Sequence, residues 1–154
     1  MLVLGIDPGP TESAYVLFDS TTQTVAQHHK VFTDAMLSDI EDFRNDYVDV
    51  LVIEQIASFG MAVGAEVFET AFNSGRFCEA WDEPWHRVKR HEVKMHLCGN
   101  MRAKDGNIRQ ALIDRWGGKE NAIGRKAKPG PLYGLHGDEW SALAVAVTWS
   151  DTHV

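Results

Sequence analysis

The stretch LVLGIDPG, residues 2–9, constrains the fold more than any other. Its apolar residues do not alternate with polar ones, so Leu2–Asp7 reads as a strand covered on both faces, as in the middle of a sheet. Proline fixes φ and lacks an N–H, and glycine admits turns that a side chain would obstruct. The strand therefore stops with Asp7 held at its end. Two further strands follow at once, Ala14–Asp19 and Thr22–Phe32, the second with the polar alternation of a sheet edge. Short turns at Asp7–Ser13 and Ser20–Thr21 make the three an antiparallel meander.

Beyond the meander the period changes. Asp34–Asn45 is polar and amphipathic, a surface helix with Asp34 as its cap. Asp49–Gln55 (DVLVIEQ) is a fourth strand and ends, like the first, on a carboxylate, Glu54. Ala57–Gly64 is a glycine-punctuated loop. It leads into a helix over Ala65–Ala80, where Val67, Phe68, Ala71 and Phe72 recur at helical spacing and Gly75 allows close approach of a neighbour. Pro84–Val88 is a fifth, short strand. His91–Leu97 and Asp105–Trp116 are helices, the latter with Ile108, Ala111 and Leu112 on its buried face. Gly117–Gly137, rich in Gly, Lys and Pro, reads as a loop, ordered or mobile. Asp138–Trp149 is a closing helix whose buried face is Ala142, Leu143, Val145 and Ala146. A meander followed by strands alternating with helices defines an α/β architecture, a mixed five-stranded sheet flanked by helices. A chain of 154 residues accommodates one such domain.

Three acids stand at the ends of apolar elements: Asp7, Glu54 and Asp138. Adjacent strands lie close enough to bring Asp7 and Glu54 to one edge of the sheet, and a helix packed on it can add Asp138. Clustered carboxylates repel one another and are costly to desolvate, so such a group implies bound cations. Oxygen-only ligands suit Mg2+ or Mn2+, and a pair of such ions suits phosphodiester hydrolysis. Each acid also has a purely structural reading: Asp7 as a turn residue, Glu54 as the partner of an arginine, Asp138 as a helix cap.

Charge separates along the chain. The net charge is −7, yet residues 87–128 hold 12 of the 15 basic residues against four acids, a local +8 that leaves −15 elsewhere. A cationic surface beside an acidic one follows, fit for a polyanion or for solvent alone. No apolar run reaches the length of a membrane span, and the N-terminus lacks a signal-peptide pattern. Cys78 and Cys98 read as reduced thiols, which places the chain in the cytoplasm.

GIDPG (5–9), VIEQ (52–55) and HGDEWSALAVAVTW (136–149) together resemble the RuvC-type Holliday junction resolvases of the RNase H-like nuclease superfamily. HRVKRHEVKMHLCGN resembles that family's segment before its last helices, and the compact KDGNIRQALIDRWG is similar to the bacteriophage versions. The resemblance implies an RNase H-like fold and a homodimer that nicks four-way and other branched DNA symmetrically, in the host cytoplasm if phage-encoded. It implies two Mg2+ or Mn2+ ions held by Asp7, Glu54 and Asp138, with Asp7 bridging them.

The family's last motif carries two acidic positions, or a His and an Asp, one helical turn apart. Here the second falls on Ser141, leaving Glu139 as the first substitute, ahead of His136 and Asp105. Asp105 otherwise caps the Asn107–Trp116 helix. Lys94 matches the family's basic position near the scissile phosphate. Arg76, Arg87, Lys89, Arg90, Arg102 and Lys104 join it as phosphate contacts, and Phe59 matches the aromatic that wedges into the junction. Phe68, Phe72 and Gly75 form the dimer surface, or else pack into the core.

Other readings stay open: an RNase H-like nuclease acting on RNA–DNA hybrids or flaps, and a junction-binding protein that has lost cleavage. A sugar-kinase or actin-like ATPase, whose first strand shares Gly-Ile-Asp-x-Gly, needs two such domains, and this chain is too short for them.

Overall fold

β1 (Leu2–Asp7) forms the centre of a five-stranded sheet of order β3-β2-β1-β4-β5 in the structure, a computed structural model describing residues 1–154. β2 (Glu12–Asp19) and β3 (Thr24–Phe32) complete the antiparallel meander, with β3 at the edge. β4 (Val50–Gln55) pairs parallel to β1, and β5 (Trp85–Lys89) parallel to β4. α1 (Thr33–Asn45) and α2 (Ala65–Trp81) cover one face, while α6 (Glu139–His153) covers the other. α3 (Arg90–Cys98) and α4 (Asp105–Arg115) pack against α6. No helix is long and apolar enough to cross a membrane.

Strand alternation divides the core in two. Val3, Val16 and Val52 meet α6, whereas Leu4, Ile6, Leu51 and Ile53 meet α1 and α2 through Met36, Ile40, Phe77 and Trp81. This is why the first run shows no alternation: β1 is buried from both sides. Gly5 sits directly under α6, where an added Cβ would come within 2.4 Å of the Ala142 carbonyl and 2.9 Å of the Ala146 Cβ. The small residues at these three positions let the helix lie flush on the central strand, which sets where its first turn lands.

Four expectations change. Asp34 is not the cap of α1; Phe32 is, and Asp34 lies in the first turn, where its charge still favours the helix dipole. The Val67, Phe68 and Phe72 stripe of α2 faces outward, because the helix buries Thr70, Asn73, Phe77, Cys78 and Trp81 instead. In α4 the buried trio is Ile108, Leu112 and Ile113; Ala111 is only partly covered. The Gly117–Gly137 segment is ordered. It contains a short helix, α5 (Lys119–Ala122), and a hairpin of β6 (Gly124–Arg125) and β7 (Lys128–Pro129).

Candidate active site

The sheet register builds the site row by row. Lys30 on β3 pairs with Ala14 on β2, and Ala14 with Asp7 on β1. The β1–β4 ladder pairs Ile6 with Ile53, so the next residues on the two parallel strands, Asp7 and Glu54, are neighbours. Asp7 follows Val3 and Gly5 on the face under α6, and Glu54 follows Val50 and Val52 on the same face. Both acids thus stand at the carboxyl ends of adjacent parallel strands, at the lip of the core. Asp138 reaches the same lip as the N-cap of α6.

The turn after Asp7 is held from three directions. The Gly9 N–H donates to the Ser13 hydroxyl at 3.0 Å. The amide of Asn73, buried on α2, donates to the carbonyls of Gly9 and Pro10 at 3.1 and 3.0 Å. Gly9 cannot carry a side chain, since a Cβ would stand 2.1 Å from the Glu12 carbonyl oxygen. Asp7 is therefore fixed by its backbone.

Its carboxylate takes part in no hydrogen bond or ion pair of its own. Burial first, then the charges of Glu54 and Asp138, push its pKa up to about 8 against the pull of Arg90 and Lys30. Glu54 is 6 % exposed, and its pKa is also raised, by burial above all. The Arg90 Nη1 donates to Glu54 Oε1 at 3.3 Å and, with the nearby Lys94 charge, offsets part of that burial. Arg90 also pairs with Asp105, the first residue of α4.

Asp105 is not the cap of its helix. Lys104 holds that position, and its N–H donates to Asn107 Oδ1 at 2.9 Å.

The helix-borne acids are engaged by side chains of β3. Asp138 makes no side-chain cap bond; it accepts from Lys30 Nζ at 2.8 Å. Glu139, 2 % exposed, pairs with His28 Nδ1 on β3, and His136 Nε2 lies 3.6 Å from its other oxygen. Glu139 is thus buried beside the meander rather than gathered with the other three acids. Ser141 lines a cleft with Asp105, Arg109, His136 and Asp138. With these rotamers no three His, Cys, Asp or Glu side chains stand at metal-ligand spacing.

The donor chemistry nevertheless fits a hard cation. Three carboxylates share one lip, and the central one is partnerless and electrostatically strained.

The remaining expected contacts divide between two faces. Arg90 and Lys94 lie by the acids, and Arg102 and Lys104 are exposed just before α4. Arg87 stands over the Trp85 ring, 5.7 Å from its centroid, on the α2 face, because Val88 takes the α6 face; Lys89, two residues on, shares the face of Arg87. Arg76 lies over Phe72, 5.8 Å from the ring centroid, beside Phe68 and Gly75 on the exposed side of α2. Phe59 is 66 % exposed at a loop tip with φ of 50°, in a T-shaped contact with the His91 ring.

Sequence reasoning missed Lys30, His28, Ser13 and Asn73. Lys30 and His28 are two residues apart on an edge strand, which puts both on one face. That was the only local signal, and nothing nearby names their partners.

The architecture is the RNase H-like fold of RuvC-type resolvases. Thermus thermophilus RuvC superposes with a TM-score of 0.69 at 16% identity over 99% of this chain and 96% of that one. T. thermophilus RuvC in complex with a Holliday junction substrate gives 0.69 at 15% identity, covering 96% and 92% of the two chains. The Fowlpox virus resolvase, complexed with Holliday junction DNA, gives 0.53 at 13% identity, covering 99% and 98%. No family model matches the sequence, nor does any curated protein.

Proposed function

We propose that this protein is a divalent-cation-dependent endodeoxyribonuclease that resolves four-way junctions and other branched DNA as a homodimer. The observation that carries this reading is the meeting of Asp7, Glu54 and Asp138 at one lip of the sheet, with Asp7 left without a partner. Asp7, Glu54 and Asp138 would hold two Mg2+ or Mn2+ ions once Glu54 turns from Arg90 and Asp138 from Lys30. Bound there, such ions supply an activated water and neutralise the leaving 3′-oxygen. Asp7 is the ligand whose backbone holds it fixed, so it would anchor such ions. Arg90 and Lys94 present positive charge to the phosphate beside Glu54, while Arg102 and Lys104 extend that charge along the strand. Phe59, exposed at its loop tip, is the side chain placed to unstack bases.

Phe68 and Phe72 are 65 % and 63 % exposed on α2, and together with Gly75 they offer an apolar patch of the kind that marks an interface. Two copies joined there would present paired sites to symmetric strands. Arg76 and Arg87 border this patch and would reach DNA from the dimer side.

A second reading, binding without cutting, draws on Ser141, which stands where a fourth acid is expected. The same assay separates the two. A synthetic four-way junction, a linear duplex and an RNA–DNA hybrid are incubated with and without Mg2+, beside Asp7→Asn. Symmetric nicking of the junction alone, lost in the variant while binding persists, is the expected result. Equal cutting of all three substrates, or cutting by Asp7→Asn, would sink the resolvase reading; junction binding with no cutting by wild type would favour the second. Ser141→Asp and Glu139→Gln, assayed alongside, locate the fourth ligand.

A further inference from the structure

The β6–β7 hairpin is a raised element whose tip is Arg125-Lys126-Ala127-Lys128, all exposed. Its base is pinned. The Gly130 N–H donates to the Ile123 carbonyl and the Leu132 N–H to the Ala122 carbonyl, both at 2.8 Å. Ala122 and Leu132 are wholly buried in the core under α6. Gly124 has φ of +65°, and a Cβ there would come within 2.4 Å of the Lys128 carbonyl; a Cβ on Gly130 would come within 2.3 Å of the Ala122 carbonyl. Two glycines and two core side chains thus hold up a tip that itself touches little.

The tip charges outnumber the one acid near them, Glu120, which lines the concavity they flank. Lys119, Arg125, Lys126 and Lys128 make no ion pair, and residues 117–137 contain one acid, Glu120. Arg125 and Lys128 face each other directly across the strands, where like charges are destabilising. They flank a concavity of about 600 Å³ with no apolar lining. A rigid, cationic tip whose one apolar side chain is the methyl of Ala127 lacks the anchors for a lipid surface and matches a phosphate backbone. Rigidity also lowers the ordering cost of binding.

Lys128 lies ten residues before Asp138. Even a fully extended chain keeps them within about 36 Å, close to one turn of duplex at ~34–36 Å, and the turns between them shorten the reach.

We propose that this hairpin grips the DNA backbone within about one helical turn of the cut, a contact separate from the α3–α4 cations. Its placement relative to the cut rests on the DNA-cutting reading above; the grip itself rests on DNA binding.

Its test compares wild type with Arg125→Ala/Lys126→Ala/Lys128→Ala, and with Lys126→Glu, whose change at the turn spares the hairpin base. Binding of a labelled four-way junction and of a linear duplex is followed by anisotropy across salt, with thermal melting as the control for folding. Affinity for the junction falls about tenfold or more in the triple variant, and the log–log salt slope becomes shallower by roughly two to three, at ~0.9 per phosphate contact. Lys126→Glu weakens binding in the same direction at an unchanged melting temperature. Wild-type affinity and slope in both variants would overturn the inference while leaving the nuclease reading intact. If wild type binds DNA and cuts no substrate, yet the variants still lose affinity and slope, the nuclease reading fails and the hairpin grip stands.

Discussion

The two strand acids and the two acids of α6 are positioned by different routes. Asp7 and Glu54 are delivered by backbone: their strands are parallel neighbours in register, so the ladder sets their spacing. Asp138 and Glu139 are delivered by the first turn of α6, whose seat depends on Gly5, Ala142 and Ala146 fitting closely and whose acids are drawn to Lys30 and His28 on the far strand. Asp7 is fixed without a partner and Glu54 is held by Arg90, whereas Asp138 is paired with the exposed Lys30 and Glu139 is buried against His28. The proposed cation site would draw on this division, with Asp7 rigid and the exposed Asp138 able to turn from Lys30.

The comparison can be broken at its strongest point first. Asp7→Asn removes the rigid half and lowers single-turnover cleavage by about 10³-fold or more, several kcal/mol of barrier, while junction binding persists. Cleavage assays with matched binding curves check this.

The next effect belongs to the helix side. His28→Ala leaves the buried Glu139 carboxylate without its β3 partner and destabilises the fold by about 3 kcal/mol, read from urea midpoints.

Comparable in size is the pH dependence of the cation-free protein. The Asp7 pKa is raised to about 8 from an ordinary 3.8. Between those values the folded chain keeps a proton that the unfolded chain releases, so stability falls as pH rises through that window. The slope is at most about 1.4 kcal/mol per pH unit from this group. Urea titrations in chelator from pH 5 to 8 measure it, and Asp7→Asn flattens the curve.

Lys30→Ala is the mildest change, under about 1 kcal/mol of stability because the Lys30–Asp138 pair is exposed. A much larger loss in that variant would mean that Asp138 is a structural anchor and not a side chain free to turn.

The strand acids were legible in the sequence because apolar runs and the Pro-Gly stop are local signals, and the meander and the closing helix were legible for the same reason. The orientation of the helix acids was not. Asp138 meets Lys30 across 108 residues and Glu139 meets His28 across 111, pairings that exist only once α6 lies on the sheet. Asn73, which clamps the turn after Asp7, escaped notice for the same reason. The α2 stripe misled because helical spacing identifies a face without saying whether core or solvent covers it. The hairpin was hidden by short strands whose Gly, Lys and Pro content resembles that of a loop.

The central claim is that these acids form a cation site organised by Asp7. Calorimetric titration of Mn2+ into wild type and into folded Asp7→Asn tests it most directly. Saturable binding in wild type that vanishes in the variant is the predicted result. Equal binding by both proteins, or none by wild type, would contradict it.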